Sequence, residues 1–211
     1  WKASDWTASD DRVRGGKSES YFETDGSSGR FFGDLDIDTL GGAGFASQRT
    51  TDDTRTWNLS NFDGIRVNVD KADAGKKYTL ILKDSLLPKN ADNGREQATT
   101  SYEYDFTTPS PSTIDHSSST TILIPWSKFK ATYRGREQDD AKPLETSSIK
   151  RISIMMRSFF GTQKGPFSIT IRTISAYSDK GQSSIVPSGS ADEKGGLIPS
   201  RPMGSSPGVR L

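Results

Sequence analysis

Acidic side chains at alternate positions are the first residues in this chain that could do chemistry. Asp34, Asp36 and Asp38 in the run RFFGDLDID would share one face of a strand, and three carboxylates on one face could hold Ca²⁺ if carbonyl oxygens joined them. The competing expectation is a solvated outer face whose charges discourage edge-to-edge pairing. Glu19 with Glu23, or Glu103 with Asp105, could be arranged as a glycosidase pair, because that chemistry needs two carboxyl groups about 5 to 10 Å apart. Same-strand carboxylates are more simply the polar face of a half-buried strand. His116, the one histidine of the chain, sits beside Asp115 among serines and threonines. A Ser-His-Asp set can be drawn from such a loop, yet no nucleophile elbow supports it, so an exposed histidine is expected. In RVRGGKS the lysine follows the glycines too soon for a phosphate loop and no helix follows, so Gly15-Gly16 is a turn. No catalytic residue, cofactor or metal ligand is assigned from these patterns.

Binding chemistry has more candidates. Tyr102 and Tyr104, with Trp126, could stack on sugar rings if they lined an exposed concave sheet face, although packing in the core is the competing fate. Arg66, Arg151, Arg157 and Arg172 each alternate with apolar neighbours, which would bring them to one polar sheet face that either grips a partner or is simply wet. Ser18 and Ser20 alternate in the same way and join that candidate binding face.

These residues need strands to position them. The stretch NFDGIRVNVDKADAGKKYTLILKD, residues 61–84, alternates Ile65, Val67 and Val69 with polar residues and then repeats the pattern at Tyr78, Leu80 and Leu82. The Asp and Gly between the two runs predict an antiparallel hairpin. Ile81 points away from Leu80 and Leu82, so the second strand should be covered on both faces. Further strands are expected around Ser18–Glu23, RFFGDLDID, GFASQR, SYEYDFT, TTILIPW, IKRISIMMRS and GPFSITIRTISAY. Trp6 should pin an extended entry segment. SLLPKNADNGREQATT reads as an irregular surface loop, and SKFK as one helical turn capped by Ser127. The jump from Ile171 to Ile174 breaks the period of two and predicts a bulge near Arg172 or Thr173. Nine or ten short strands with very little helix imply an all-β antiparallel sandwich. Residues 1–177 should form it, and 178–211, rich in Ser, Gly and Pro, should be a flexible tail.

Composition excludes several classes of function. Among 211 residues, 28 Lys and Arg nearly balance 27 Asp and Glu for a net charge of +1, which disfavours nucleic acid as the main partner. No window is apolar enough for a membrane span, which needs about 20 such residues. The lack of cysteine removes disulfides and thiol chemistry. The opening WKASDWTASDD is acidic, unlike a mitochondrial presequence, so any targeting segment has been removed or never existed.

The order of the motifs is more specific than any one of them. Asp-x-Val-x-Gly-Gly-x-Ser at Asp11–Ser18, FFGDLDID, Gly-Phe-Ala-Ser at Gly44–Ser47, Phe62-Asp63-Gly64, YTLIL, YEYDF, ILIPWSKFKATYRG and GPFSITIRTISAY together resemble the complex I intermediate-associated protein 30 family, from about Asp10 to Tyr177. The resemblance implies a galactose-binding-like jelly roll, related in shape to family 11 carbohydrate-binding modules. It also implies a non-enzymatic, chaperone-like or scaffolding role in assembling mitochondrial respiratory complex I, and hence a protein partner and a mitochondrial location, with the cytoplasm as the alternative. A glycan bound on a concave sheet face is the alternative partner. The family supplies no catalytic or cofactor residue to carry over.

Overall fold

Every alternating run becomes a strand, and the two faces of each strand decide which way the sheets stack. The computed structural model describes residues 1–108 and 119–179. Its strands are β1 (Trp6–Ala8), β2 (Glu19–Thr24), β3 (Gly29–Leu35), β4 (Phe45–Thr50), β5 (Gly64–Ala72) and β6 (Lys77–Lys83). They continue with β7 (Ser101–Thr107), β8 (Thr120–Pro125), β9 (Lys130–Tyr133), β10 (Arg136–Glu137), β11 (Arg151–Arg157) and β12 (Gly165–Tyr177). A seven-stranded antiparallel sheet runs β1-β4-β11-β6-β7-β9-β10, and a five-stranded one runs β2-β3-β12-β5-β8. The expected jelly-roll sandwich is what forms, with short edge strands raising the number above nine or ten.

The expected hairpin over residues 61–84 does not form. β5 pairs with β12 and β8 in one sheet, while β6 pairs with β11 and β7 in the other. The Asp73–Lys76 connection therefore carries the chain from one layer to the next. A short Gly-containing turn serves either purpose, and what decides is that Val67 and Leu80 must face each other across the core rather than lie side by side. Ile65, Val67 and Val69 meet Tyr78, Leu80 and Leu82 from the opposite layer, joined by Ile152, Ile154, Met156, Phe167, Ile169 and Ile171, all nearly inaccessible. Truncating one of these, such as Ile169→Ala, would cost about 2–5 kcal/mol in lost burial and cavity formation. Ile81, on the other face of β6, is also buried, but no further sheet covers that face among the described residues, so the expected covering on both sides is not what buries it.

The bulge lies where the period breaks. Ile171 pairs with Val69 but Thr173 pairs with Asn68, leaving Arg172 as the extra residue. Trp6 packs as anticipated, stacking on Phe22 with ring centroids 4.7 Å apart. The turn at SKFK is a 3-10 turn over Trp126–Lys128 that follows Pro125 and has no side-chain cap, so Ser127 lies inside it and does not cap it. The strand carrying Asp34 stops at Leu35, so Asp36 and Asp38 lie in the following loop and the three carboxylates share no strand face. Asp38 instead lies near Lys164 and Asp36 accepts the Thr39 amide. No group of three or more His, Asp or Glu side chains among the described residues is placed to hold a metal ion. His116 and Asp115, and nearly all of the expected 178–211 tail, lie outside the described residues.

Ser18 and Ser20 serve the frame, and Ser20 also borders a groove on the outer face of the seven-stranded sheet. Where β1 ends, two adjacent carboxylates take over the free edge of β4. Asp10 accepts from the Ser20 amide (3.1 Å), the Ser20 hydroxyl (2.6 Å) and the Ser47 amide (2.8 Å). Asp11, fully buried, accepts from the Ser18 amide (3.1 Å), the Ser18 hydroxyl (2.8 Å) and the Phe45 amide (3.0 Å). Ser18 and Ser20 lead into and lie on β2 of one sheet, whereas Phe45 and Ser47 lie on β4 of the other. Each aspartate is thus a clamp between layers. Burial pushes the Asp10 carboxyl above its usual range, and the hydrogen bonds from Ser20 and Ser47 oppose that rise.

Candidate functional site

Register builds a groove on the outer face of the seven-stranded sheet. Residues on β4, β11, β6, β7 and β9 that alternate with the core face outward together. Arg49 stands opposite Ser153, Arg151 opposite Lys83, Ile81 opposite Glu103, and Glu103 opposite Lys130. Walls rise from the 3-10 turn Asp11–Arg14, the glycine loop at 41–44, the segment 95–99, the β9–β10 connection and the turn at Phe159-Phe160, enclosing about 2220 Å³.

The floor is ionic and mutually paired. The Arg157 guanidinium donates to Glu103 Oε2 and Asp105 Oδ1, each at 2.7 Å. Thr132 and Thr79 donate their hydroxyls to the same two carboxylates at 2.7 Å, and the Arg157 guanidinium lies 4.7 Å from the Phe159 ring centroid. Toward the other end, Glu96 spans two guanidiniums, with Oε1 at 2.5 Å from Arg49 Nη2 and Oε2 at 2.7 Å from Arg151 Nη1. Arg151 is buried and also pairs with Asp53. Lys83 donates to the Thr99 hydroxyl at 2.9 Å. Burial, followed by the nearby Arg151 charge, lowers the pKa of both Arg49 and Lys83.

At the rim the backbone is strained. Phe159 and Phe160 both adopt left-handed φ values, 44° and 60°, a conformation that costs an L-residue about 1–2 kcal/mol. The strain leaves Phe160 completely exposed. Such strain persists only where neighbours hold it, and it concentrates at functional surfaces. Here the Ser158 amide donates to the Gly44 carbonyl (3.0 Å), and the Thr162 amide closes the turn on Ser158 (2.9 Å).

The arginines expected on one face divide between two. Arg151 and Arg157, both on β11, line the groove. Arg66 and Arg172 lie on the other sheet, where Arg66 approaches the Tyr177 ring (5.9 Å) and Arg172 pairs with Asp70 (2.8 Å). Both sets alternate correctly, but they belong to different layers. The aromatic trio does not form a sugar platform. Tyr102 points into the core and donates its hydroxyl to the Lys142 carbonyl (2.9 Å), and burial, then Asp84, pushes that hydroxyl up to about 12. Tyr104 and Trp126 pack half-buried on the core beside Phe129, and Trp126 donates to the Phe62 carbonyl (2.6 Å). Neither carboxylate pair is free: Glu19 is bound to Arg12 and Tyr21, Glu23 lies near Arg30, and Glu103 and Asp105 share Arg157.

Sequence reasoning did not anticipate Asp10, Asp11, Arg49, Asp53, Glu96 or Phe160 at functional or clamping positions. Only the adjacent Asp10-Asp11 pair ahead of two alternating serines carried a signal that could have been read.

The solved structures similar in shape include the family 11 carbohydrate-binding module of Clostridium thermocellum in complex with a β-1,3-1,4-mixed-linked tetrasaccharide. It is 15% identical with a TM-score of 0.48, covering 79% of this chain and 88% of that one. The family 11 module of the cellulosomal cellulase Lic26A-Cel5E gives 18% and 0.46, covering 79% and 86%. A curated relative, the uncharacterized protein C9E9.15 of Schizosaccharomyces pombe, is 45% identical over 181 residues, spanning 83% of this chain and 79% of the relative. The family model for complex I intermediate-associated protein 30 matches residues 2–171. With four-fifths of its length inside that match, the chain belongs to the complex I intermediate-associated protein 30 family.

Proposed function

We propose that the protein is a non-catalytic binding module that holds a protein partner in the groove of the seven-stranded sheet, in the service of respiratory complex I assembly within mitochondria. Family membership supports the process, and the groove supports the mode of action. General acid-base chemistry needs an acid or base free to exchange a proton with substrate. Glu103 and Asp105 are instead both paired with Arg157; Thr132 donates to the other oxygen of Glu103, and Thr79 donates to the same Asp105 oxygen, Oδ1, that meets Arg157. A pre-paired floor of this kind offers fixed hydrogen-bonding groups at little ordering cost to a partner. Phe160 stands over it as an apolar anchor of the type that dominates interface energetics.

The test is genetic and biochemical together. Cells lacking the gene should accumulate complex I subassemblies on native gels, and the wild-type gene should restore the mature complex. A Phe160→Ser, Lys130→Glu variant that melts like the wild type should fail to restore it. Normal complex I in the deletion strain would overturn the proposal.

A further inference from the structure

The groove holds ten basic and six acidic side chains, in a chain whose overall charge is only +1. Three of these cations cluster beside Glu96. Arg151 and Lys83 stand directly opposite one another on β11 and β6, an arrangement of like charges that is unfavourable unless something neutralises it. Arg49, on the far side of β11, completes a triangle of cations on three adjacent strands. Neutralisation comes from outside the sheet. Glu96 arrives on the segment between β6 and β7, and Asp53 arrives on the loop that follows β4. Three cations thus face two carboxylates, and Arg151 is too deeply buried to be satisfied by water alone.

The manner of Glu96 binding is that of a ligand. Its two oxygens are shared between two guanidiniums, the fork geometry that arginine pairs offer to a planar carboxylate. No strand or helix carries Glu96, and its side chain remains one-third exposed. Its neighbours Arg95 and Gln97 are tied into the loop by hydrogen bonds to Asn90, Asn93 and Pro88, while the carboxylate itself pairs with the two guanidiniums. Resting on the protein-binding function above, we infer that Arg49, Arg151 and Lys83 form a carboxylate cradle for an Asp or Glu side chain of an acidic, extended partner segment, and that Glu96 occupies the cradle as an intramolecular stand-in until the partner displaces it. Phosphate is a poorer match, because the two guanidiniums are spaced to share one flat carboxylate.

The consequence is a conformational tax. If Glu96 fills the cradle about nine-tenths of the time, partner affinity is reduced about tenfold, and removing the stand-in restores it. Binding of a fluorescent hexaglutamate peptide to the full chain can be followed by anisotropy at low ionic strength. Glu96→Gln keeps the side-chain volume but leaves a single weak acceptor. It should bind the peptide about tenfold more tightly than the wild type, and the peptide should raise its melting temperature more than that of the wild type. Adding Arg49→Gln should abolish the gain. A hexalysine peptide should not bind, and inorganic phosphate at matched ionic strength should compete weakly.

Equal peptide affinity for wild type and Glu96→Gln, or a gain that survives Arg49→Gln, would overturn the cradle. So would phosphate competing as strongly as carboxylate. The binding-module proposal has a separate readout. If the peptide results fail while the Phe160→Ser, Lys130→Glu variant still blocks complex I assembly, the cradle falls and the groove stands. If the deletion strain assembles complex I normally, the assembly role falls whatever the peptide does.

Discussion

Replacing Asp11 by alanine offers the most direct probe of how the two sheets are joined. The carboxylate is fully buried and accepts three hydrogen bonds. The Ser18 hydroxyl has a second acceptor in the Asp36 carbonyl, at 3.1 Å, so it survives the loss. The Ser18 and Phe45 amides lose the acceptor the carboxylate provides. Each buried donor left unsatisfied costs about 1–3 kcal/mol, so Asp11→Ala should destabilise the fold by about 4 kcal/mol. For a domain of this size that corresponds to a melting temperature roughly 8–16 °C lower. Gly16 supplies an internal control. A Cβ added there would lie 2.2 Å from Asp11 Oδ1, and its three nearest neighbours are all Asp11 carboxyl atoms. Gly16→Ala should therefore be damaging in the wild type and much less so in the Asp11→Ala background, with a coupling of about 1–3 kcal/mol in a double-mutant cycle. Urea and thermal unfolding followed by circular dichroism would measure all four corners. Additivity within about 0.5 kcal/mol, or an Asp11→Ala cost below about 1 kcal/mol, would refute the account of the clamp.

Phe160→Gly should leave stability unchanged or raise it by up to about 1 kcal/mol, because relief of the left-handed strain offsets the added chain entropy. The same change should weaken partner capture, and a clear drop in melting temperature would contradict the assignment of strain. Hydrogen bonds from the Ser28 amide and from Ser27 hold the Asp25 carboxyl down at about 2, against an ordinary 3.8. Its contribution to stability is therefore complete above pH 3.8 and lost as pH falls through about 2. Asp25→Asn should flatten that part of the acid limb in a pH series of denaturant melts, and an unchanged limb would count against the turn geometry. Soluble mixed-linkage glucan in a native gel should not retard the protein, since Tyr102, Tyr104 and Trp126 are committed to packing. Retardation that vanished on Tyr21→Ala would restore a glycan reading through that exposed ring instead.

The strands were legible because side-chain alternation is a local property, and even the Arg172 bulge shows as a missed beat between Ile171 and Ile174. Layer assignment was not legible. Arg66 and Arg151 look alike in sequence because each sits between apolar neighbours, yet β5 and β11 lie in opposite sheets. The turn between β5 and β6 could equally have joined paired strands, and only the long-range pairing of β5 with β12 and of β6 with β11 decides otherwise. Glycine turns at Gly15 and Gly41–Gly42 could be read directly. The clamps left only a faint sign, the adjacent Asp10-Asp11 pair ahead of two alternating serines, because their partners on β4 and around β2 are met through tertiary structure. Glu96 was hidden for the same reason: a charged residue in an irregular loop gives no local sign of the guanidiniums it will meet.

The pairing of early strands with the last two has a consequence for biogenesis. β11 lies between β4 and β6, and β12 between β3 and β5, so the centre of each layer is completed by strands translated after every other described strand. While these are still inside the ribosome, β3, β4, β5 and β6 have exposed edges and an unshielded greasy flank. Such non-local topology also slows spontaneous folding. A nascent chain of this kind is expected to need shielding of its own until Tyr177 has emerged.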